Sequence, residues 1–93
     1  MSTTWEVEYT EEFEAWWHTL LADEQRHIAQ AVELLAEYGP CLGRPLVDTI
    51  AGSRHPNMKE LRASSTRSLF AFDPRRTAIL LLGGDKSGHW RSW

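Results

Sequence analysis

The chain has a single cysteine, Cys41, in 93 residues. That excludes an internal disulfide and leaves too few thiols for a cysteine-based metal site. Its longest apolar run, Ala78–Leu82, is much too short to span a bilayer, so no membrane association is expected. The N-terminus lacks a basic-then-apolar pattern, so no secretory leader is expected and the cytoplasm is the default location. The four histidines show no zinc-ligand spacing. Gly83-Gly84-Asp85-Lys86-Ser87 lacks the full spacing of a phosphate-binding loop, so neither a metal nor a cofactor is expected. There is no internal repeat and no low-complexity tract. The first 38 residues also lack positive charge: Arg26 is the only base against nine carboxylates, Glu6, Glu8, Glu11, Glu12, Glu14, Asp23, Glu24, Glu33 and Glu37.

The remaining 55 residues reverse that balance, with nine Lys or Arg against Asp48, Glu60, Asp73 and Asp85. The two parts carry −8 and +5, which together give the net −3. The modest total hides a basic C-terminal half that also holds His55, His89, Trp90 and Trp93. Such asymmetry points to a polyanionic partner on one face, with groups that can move protons or stack on bases. Apolar content of 42% and aromatic content of 11% argue against disorder. The length fits one small domain with a thin core, spanning 1–93. The chain stops at Trp93 inside a segment that reads as unfinished, as expected of a C-terminally truncated domain.

Trp5, Val7 and Tyr9 alternate with Thr4, Glu6 and Glu8, the period of a half-buried strand. Thr10 can cap a following helix whose first turn carries Glu11 and Glu12. Phe13, Trp16, Trp17, Leu20 and Leu21 form one helical stripe. Asp23 can cap a second helix, in which Ile28, Val32, Leu35 and Ala36 repeat the spacing until Gly39-Pro40 stops it. Residues 39–56, rich in Gly and Pro, read as a long surface loop with a short ordered piece at Leu46–Ile50. Strands follow at Asn57–Arg62 and Arg67–Asp73. A third, at Thr77–Leu82, is apolar throughout, expected to be covered on both faces and ended by Gly83-Gly84. The expected fold is α+β, in the order β-α-α-β-β-β, with a helical hairpin packed on a mainly antiparallel four-stranded sheet.

The series Met58-Lys59-Glu60-Leu61-Arg62, then Arg67-Ser68-Leu69-Phe70-Ala71-Phe72-Asp73-Pro74-Arg75-Arg76, then Ile79–Leu82 and Gly83-Gly84-Asp85-Lys86, resembles the RelE/HigB superfamily of bacterial toxins, and more narrowly its phage-derived HigB-like branch. The resemblance is strongest over residues 57–86. It implies the toxin of a type II toxin–antitoxin pair: a small, metal-independent endoribonuclease that cuts mRNA on the translating ribosome. It also implies an antitoxin partner carrying a helix-turn-helix DNA-binding domain. That antitoxin is expected to cover part of the basic sheet side.

Metal-free RNA cleavage needs a base for the ribose 2′-OH, a cation for the charge building on the phosphate and an acid for the leaving 5′-oxygen. Lys59, Arg67, Lys86 and His89 are the candidate catalytic groups, and Arg62, Trp90, Arg91 and His55 the candidate RNA-binding groups. Arginine suits phosphate because its fork binds two oxygens and stays charged. Strand alternation sets Lys59 and Arg62 on opposite faces, which favours Lys59 acting with Arg67. Each group has a plainer reading: Lys59 as a solvated strand lysine, Arg62 and Arg67 as partners of Glu60, and Trp90 as core. Arg75 and Arg76 read as solvated turn residues, and His18 and His27 as helical surface. Two other functions fit the same fold: a gyrase-inhibiting toxin of the ParE type, and a non-catalytic module binding RNA or an antitoxin.

Overall fold

The computed structural model describes residues 5–50 and 58–85. The elements run β1 (Glu6–Tyr9), α1 (Glu11–Trp17), α2 (Ala22–Tyr38), a single 3-10 turn (Gly39–Cys41), β2 (Val47–Thr49), β3 (Met58–Ala63), β4 (Thr66–Asp73) and β5 (Thr77–Asp85). The strands form one sheet in the order β1-β5-β4-β3-β2. All its pairings are antiparallel except that of β1 with β5. The class is the expected α+β, with five strands rather than four. The added strand is β2, built from the ordered piece foreseen at Leu46–Ile50; it pairs with β3 through Val47↔Leu61 and Thr49↔Lys59.

Both helices lie on one face of the sheet. Phe13 of α1 and Ile28, Ala31 and Leu35 of α2 share a buried core with Val47, Leu61, Ala63, Phe70, Ala78 and Leu80. Phe70 is fully buried and meets Phe72 edge-on at 5.2 Å. The caps follow from the sequence in part. The Thr10 hydroxyl oxygen accepts the Phe13 N–H at 3.1 Å, as its position before Glu11 predicts. Asp23 does not cap α2, because that helix begins earlier, at Ala22. Glu24 instead reaches back to accept the Leu21 N–H at 3.0 Å, and Asp23 sits in the first turn, where a negative charge suits the helix dipole.

Four further expectations are corrected. The helix read through Leu21 ends at Trp17; Leu20 still packs on the core, but Leu21 is 72% exposed in the link between the helices. Tyr9 is likewise exposed, because β1 is an edge strand. β5 is not covered on both faces: the helices bury Ala78 and Leu80, whereas Ile79, Leu81 and Leu82 stay half-buried. Nor do Gly83 and Gly84 end β5, which runs on to Asp85. The indole of Trp16 lies against Gly83, where a Cβ would sit 2.1 Å from the ring, so the glycine is a packing site rather than a stop.

A bulge between Leu69 and Phe70 makes Leu69 pair with Leu82 but Phe70 with Leu80, leaving Leu81 as the extra residue. Its carbonyl accepts the Thr10 hydroxyl at 2.7 Å, which satisfies a ladder group the bulge would otherwise orphan and ties α1 to β5.

Candidate nucleic-acid interface

The face of the sheet turned away from the helices carries the charge. In the β3–β4 hairpin, Arg62 stands directly opposite Arg67, and Glu60 opposite Leu69. Strand alternation puts Glu60, Arg62 and Arg67 together on this open face, with Leu61, Ala63 and Phe70 on the other. Asp48 joins them from β2, as the partner of Glu60 in register.

Two arginines facing each other across a ladder repel unless an anion lies between them. Here Glu60 does so: its Oε2 accepts from Nε of Arg62 at 2.8 Å and lies 3.7 Å from Nε of Arg67. Nη2 of Arg62 donates to Asp48 at 3.0 Å, and Nη1 of Arg67 to the Thr66 carbonyl at 3.0 Å. Asp48 is also reached by Nε of Arg44 at 3.2 Å. Side-chain exposure decides which group meets a ligand first: 39% for Arg62, against 17% for Arg67 and 11% for Glu60. Arg62 is held through Nε and Nη2 and is still the more exposed of the two arginines, and a guanidinium fixed in this way grips phosphate with little loss of freedom.

The Glu60 hydrogen bond, followed by the nearby carboxylates, moves the Arg62 titration further up, so the guanidinium stays charged. Asp48 is held below the ordinary carboxylate value chiefly by the Thr49 N–H, with Arg44 and Arg62 adding to it. Asp73 is lowered by the Arg75 N–H and then by its side chain. A depressed folded-state value means that the unfolded chain binds more protons in acid. The stabilisation from Asp48 and Asp73 is therefore complete above the unfolded carboxylate value of about 3.9 and is lost as pH falls through their lower folded values. Thermal melts between pH 2 and 6 are expected to show stability falling over that acid range, and more shallowly in Asp48→Asn. An unchanged slope in Asp48→Asn would remove this residue from the acid response.

The other expected site residues separate. Lys59 lies opposite Phe70 in register, on the Leu61 side of β3. It is half-buried and forms no ion pair among the described residues. The alternation that divides it from Arg62 also divides it from Arg67, so the expected grouping of Lys59 with Arg67 is replaced by Arg62 with Arg67. Lys86, His89, Trp90, Arg91 and His55 lie outside the described residues. Arg75 is exposed and pairs with Asp73 at 3.2 Å, as its turn position suggested, whereas Arg76 lies over the Trp5 ring at 5.1 Å and is structural. His18 and His27 sit on the helices beside Glu14 and Asp23. Asp48 is the functional neighbour that sequence reading missed: it lies 14 residues from Arg62, and only the β2–β3 register joins them. Among the described residues no cluster of His, Cys, Asp or Glu could hold a metal, and no helix is long and apolar enough to cross a membrane.

Two helices on one face of a five-stranded, mostly antiparallel sheet are the layers of the RelE-type fold. The chain superposes on a chain of the archaeal RelE–RelB complex from Pyrococcus horikoshii OT3 with a TM-score of 0.74 at 15% identity, covering 91% of this chain and 98% of that one. Residues 15–92 match the family described as phage derived protein Gp49-like. The chain is 52% identical over 82 residues to a candidate toxin, HigB3, of Mycobacterium tuberculosis, covering 86% of this chain and 72% of the relative. It is 50% identical over 88 residues to a second, HigB2, of the same organism, covering 89% of this chain but 44% of that relative's own length. The chain belongs to the Gp49-like family of the RelE/HigB superfamily.

Proposed function

We propose that this chain is the toxin of a type II toxin–antitoxin pair and acts as a metal-independent endoribonuclease on mRNA in the translating ribosome. The observation that carries the catalytic reading is the Arg62–Glu60–Arg67 arrangement on the sheet face away from the helices, two guanidinium groups held in place by carboxylates before any ligand arrives. The toxin reading is supported by the two mycobacterial relatives, each named as a candidate toxin.

Cleavage would run through the ribose next to the scissile phosphate. The 2′-oxygen attacks phosphorus as a base takes its proton, the P–O5′ bond breaks, and an acid protonates the departing 5′-oxygen. A 2′,3′-cyclic phosphate and a 5′-hydroxyl result, with no metal needed. Arg62 and Arg67 bind and neutralise the phosphate as charge builds on its oxygens. Lys86 and His89 are the candidates for base and acid at this phosphate; Lys59 stands on the other face of β3, so its candidacy rests on the Lys59→Ala comparison below. Trp90, Arg91 and His55 are the candidates for holding the flanking nucleotides, by stacking or by charge. The partner is an antitoxin with a helix-turn-helix domain, and the setting is the cytoplasm, where mRNA is translated.

Primer extension on mRNA in a translating extract tests this. Discrete cuts are expected with the wild-type chain, absent without ribosomes and strongly reduced in Arg62→Ala, with Lys59→Ala measured beside it. Intact transcripts at toxin concentrations that arrest growth would reject the nuclease and favour a gyrase target. Cuts unaffected by Lys59→Ala would reject that residue alone.

A further inference from the structure

Five side chains alternate in sign along one row that crosses β2, β3 and β4: Arg44, Asp48, Arg62, Glu60 and Arg67. The row contains two like-charged pairs, each set directly opposite across a ladder: Asp48 with Glu60 between β2 and β3, and Arg62 with Arg67 between β3 and β4. Either pair alone would destabilise the sheet. Staggered by one strand, each supplies the counter-ions of the other. Local conflicts of this kind are expected where a surface serves function rather than stability. Three guanidinium groups share two carboxylates, so the row keeps one positive charge in excess.

That excess lies at the Arg44 end. Arg44 is 79% exposed, the most of the three arginines, and reaches Oδ1 of Asp48 with Nε and Nη2, both at 3.2 Å. Asp48 is satisfied without it: Oδ1 also accepts the Thr49 N–H at 2.8 Å, and Oδ2 accepts from Arg62 at 3.0 Å. An ion pair this exposed adds little to stability, so Arg44 can leave Asp48 at small cost. Its backbone is nevertheless placed. The Val47 N–H donates to the Gly43 carbonyl at 3.1 Å, and the Arg62 N–H donates to the Leu46 carbonyl at 2.7 Å. These bonds fasten the segment bearing Arg44 beside Arg62. Arg44 is thus a positioned cation whose partner is exchangeable.

We infer that Arg44 is a further RNA-binding residue, and that Arg67, Arg62 and Arg44 form a track for successive phosphates of one single strand. The inference rests on the reading of single-stranded RNA as substrate, but not on its cleavage. Arg67 and Arg62 hold the scissile phosphate, and Arg44 exchanges Asp48 for a phosphate beyond it. Asp48 stays on Arg62 and keeps that guanidinium oriented while the exchange occurs. The three arginines come from β4, β3 and the segment leading into β2, so the RNA crosses the strands rather than running along β3. Contacts to phosphate position the strand and carry no base preference.

Fluorescence anisotropy tests this with the full chain and short single-stranded RNAs of two unrelated sequences. The RNAs are 2′-O-methylated throughout, so no 2′-hydroxyl is free to attack. Arg44→Ala is expected to weaken both by the same factor and to make log K against log salt shallower by about 0.7, the loss of one phosphate contact on a single strand. Arg75→Ala removes another exposed arginine paired with an aspartate, in the β4–β5 turn, and is expected to keep the wild-type slope. Both variants are expected to melt as wild type does. An unchanged slope in Arg44→Ala, an equal change in Arg75→Ala, or no RNA binding by the wild-type chain would overturn the track. A loss confined to one of the two sequences would overturn it in favour of base readout. Transcripts left intact in the translating extract, beside a shallower slope in Arg44→Ala, would reject the nuclease and leave the track standing.

Discussion

Replacing Arg67 by alanine is expected to slow mRNA cleavage by about 10²–10³-fold, the usual effect of removing one preorganised donor to a developing oxyanion. Arg67 is only 17% exposed, packed between Glu60 and the Thr66 carbonyl, so its guanidinium loses little freedom when a phosphate arrives. Arg67→Lys should recover little of the loss, because an ammonium cannot span the same two directions. Glu60→Gln provides the companion result. Without the carboxylate between them, Arg62 and Arg67 repel across the ladder, and the phosphate grip loosens even though both cations remain. Single-turnover cleavage on programmed ribosomes, read with a melt of each variant, gives both numbers. Full activity in folded Arg67→Ala would remove the open face from the chemistry.

The largest stability loss from a single added methyl group is expected at Gly39. Its φ of 56° and ψ of −135° form a combination that essentially only glycine adopts. A Cβ there would lie 2.3 Å from Nε1 of Trp5. That indole has nowhere to retreat: it meets Phe72 edge-on at 5.1 Å and carries Arg76 over its face, while the Trp5 backbone N–H donates to the Ala36 carbonyl at 2.7 Å and fixes the residue against the helix end. Backbone strain and overpacking each cost about 1–3 kcal/mol, so Gly39→Ala should lose about 3 kcal/mol. That is a large fraction of the 5–15 kcal/mol typical of a folded domain. The urea midpoint should fall by about 2 M with an unchanged slope. A midpoint equal to wild type would mean that Trp5 does not close over the helix end.

Thr10, the α2 stripe and the β3–β4 hairpin were readable because each is set by neighbours in sequence: a capping hydroxyl, a 3.6-residue period, two apolar runs joined by a polar turn. The prediction that Lys59 and Arg62 part company held for the same reason, since alternation is local. β2 was only half legible, because three residues in a Gly- and Pro-rich stretch become a strand only when β3 offers its edge. Gly83 misled for a related reason. A glycine pair reads as a break, and nothing near it in sequence announces that Trp16 will lie there. The plainer reading of Arg62 and Arg67 as partners of Glu60 was legible and held, but nothing local in the sequence showed that Asp48 would hold Arg62 as well.

The pairing of β1 with β5 bears on how the protein is made. Glu6 meets Thr77 and Tyr9 meets Leu80, so β1 waits for β5 before it can enter the sheet. Contacts this distant in sequence slow folding, and a growing chain cannot form them early. The β4 edge also stays bare until β5 arrives, and Thr10 has no Leu81 carbonyl to hold. β1 therefore enters the sheet only once β5 has been made, so the two ends of the strand order are joined late however early the first is synthesised.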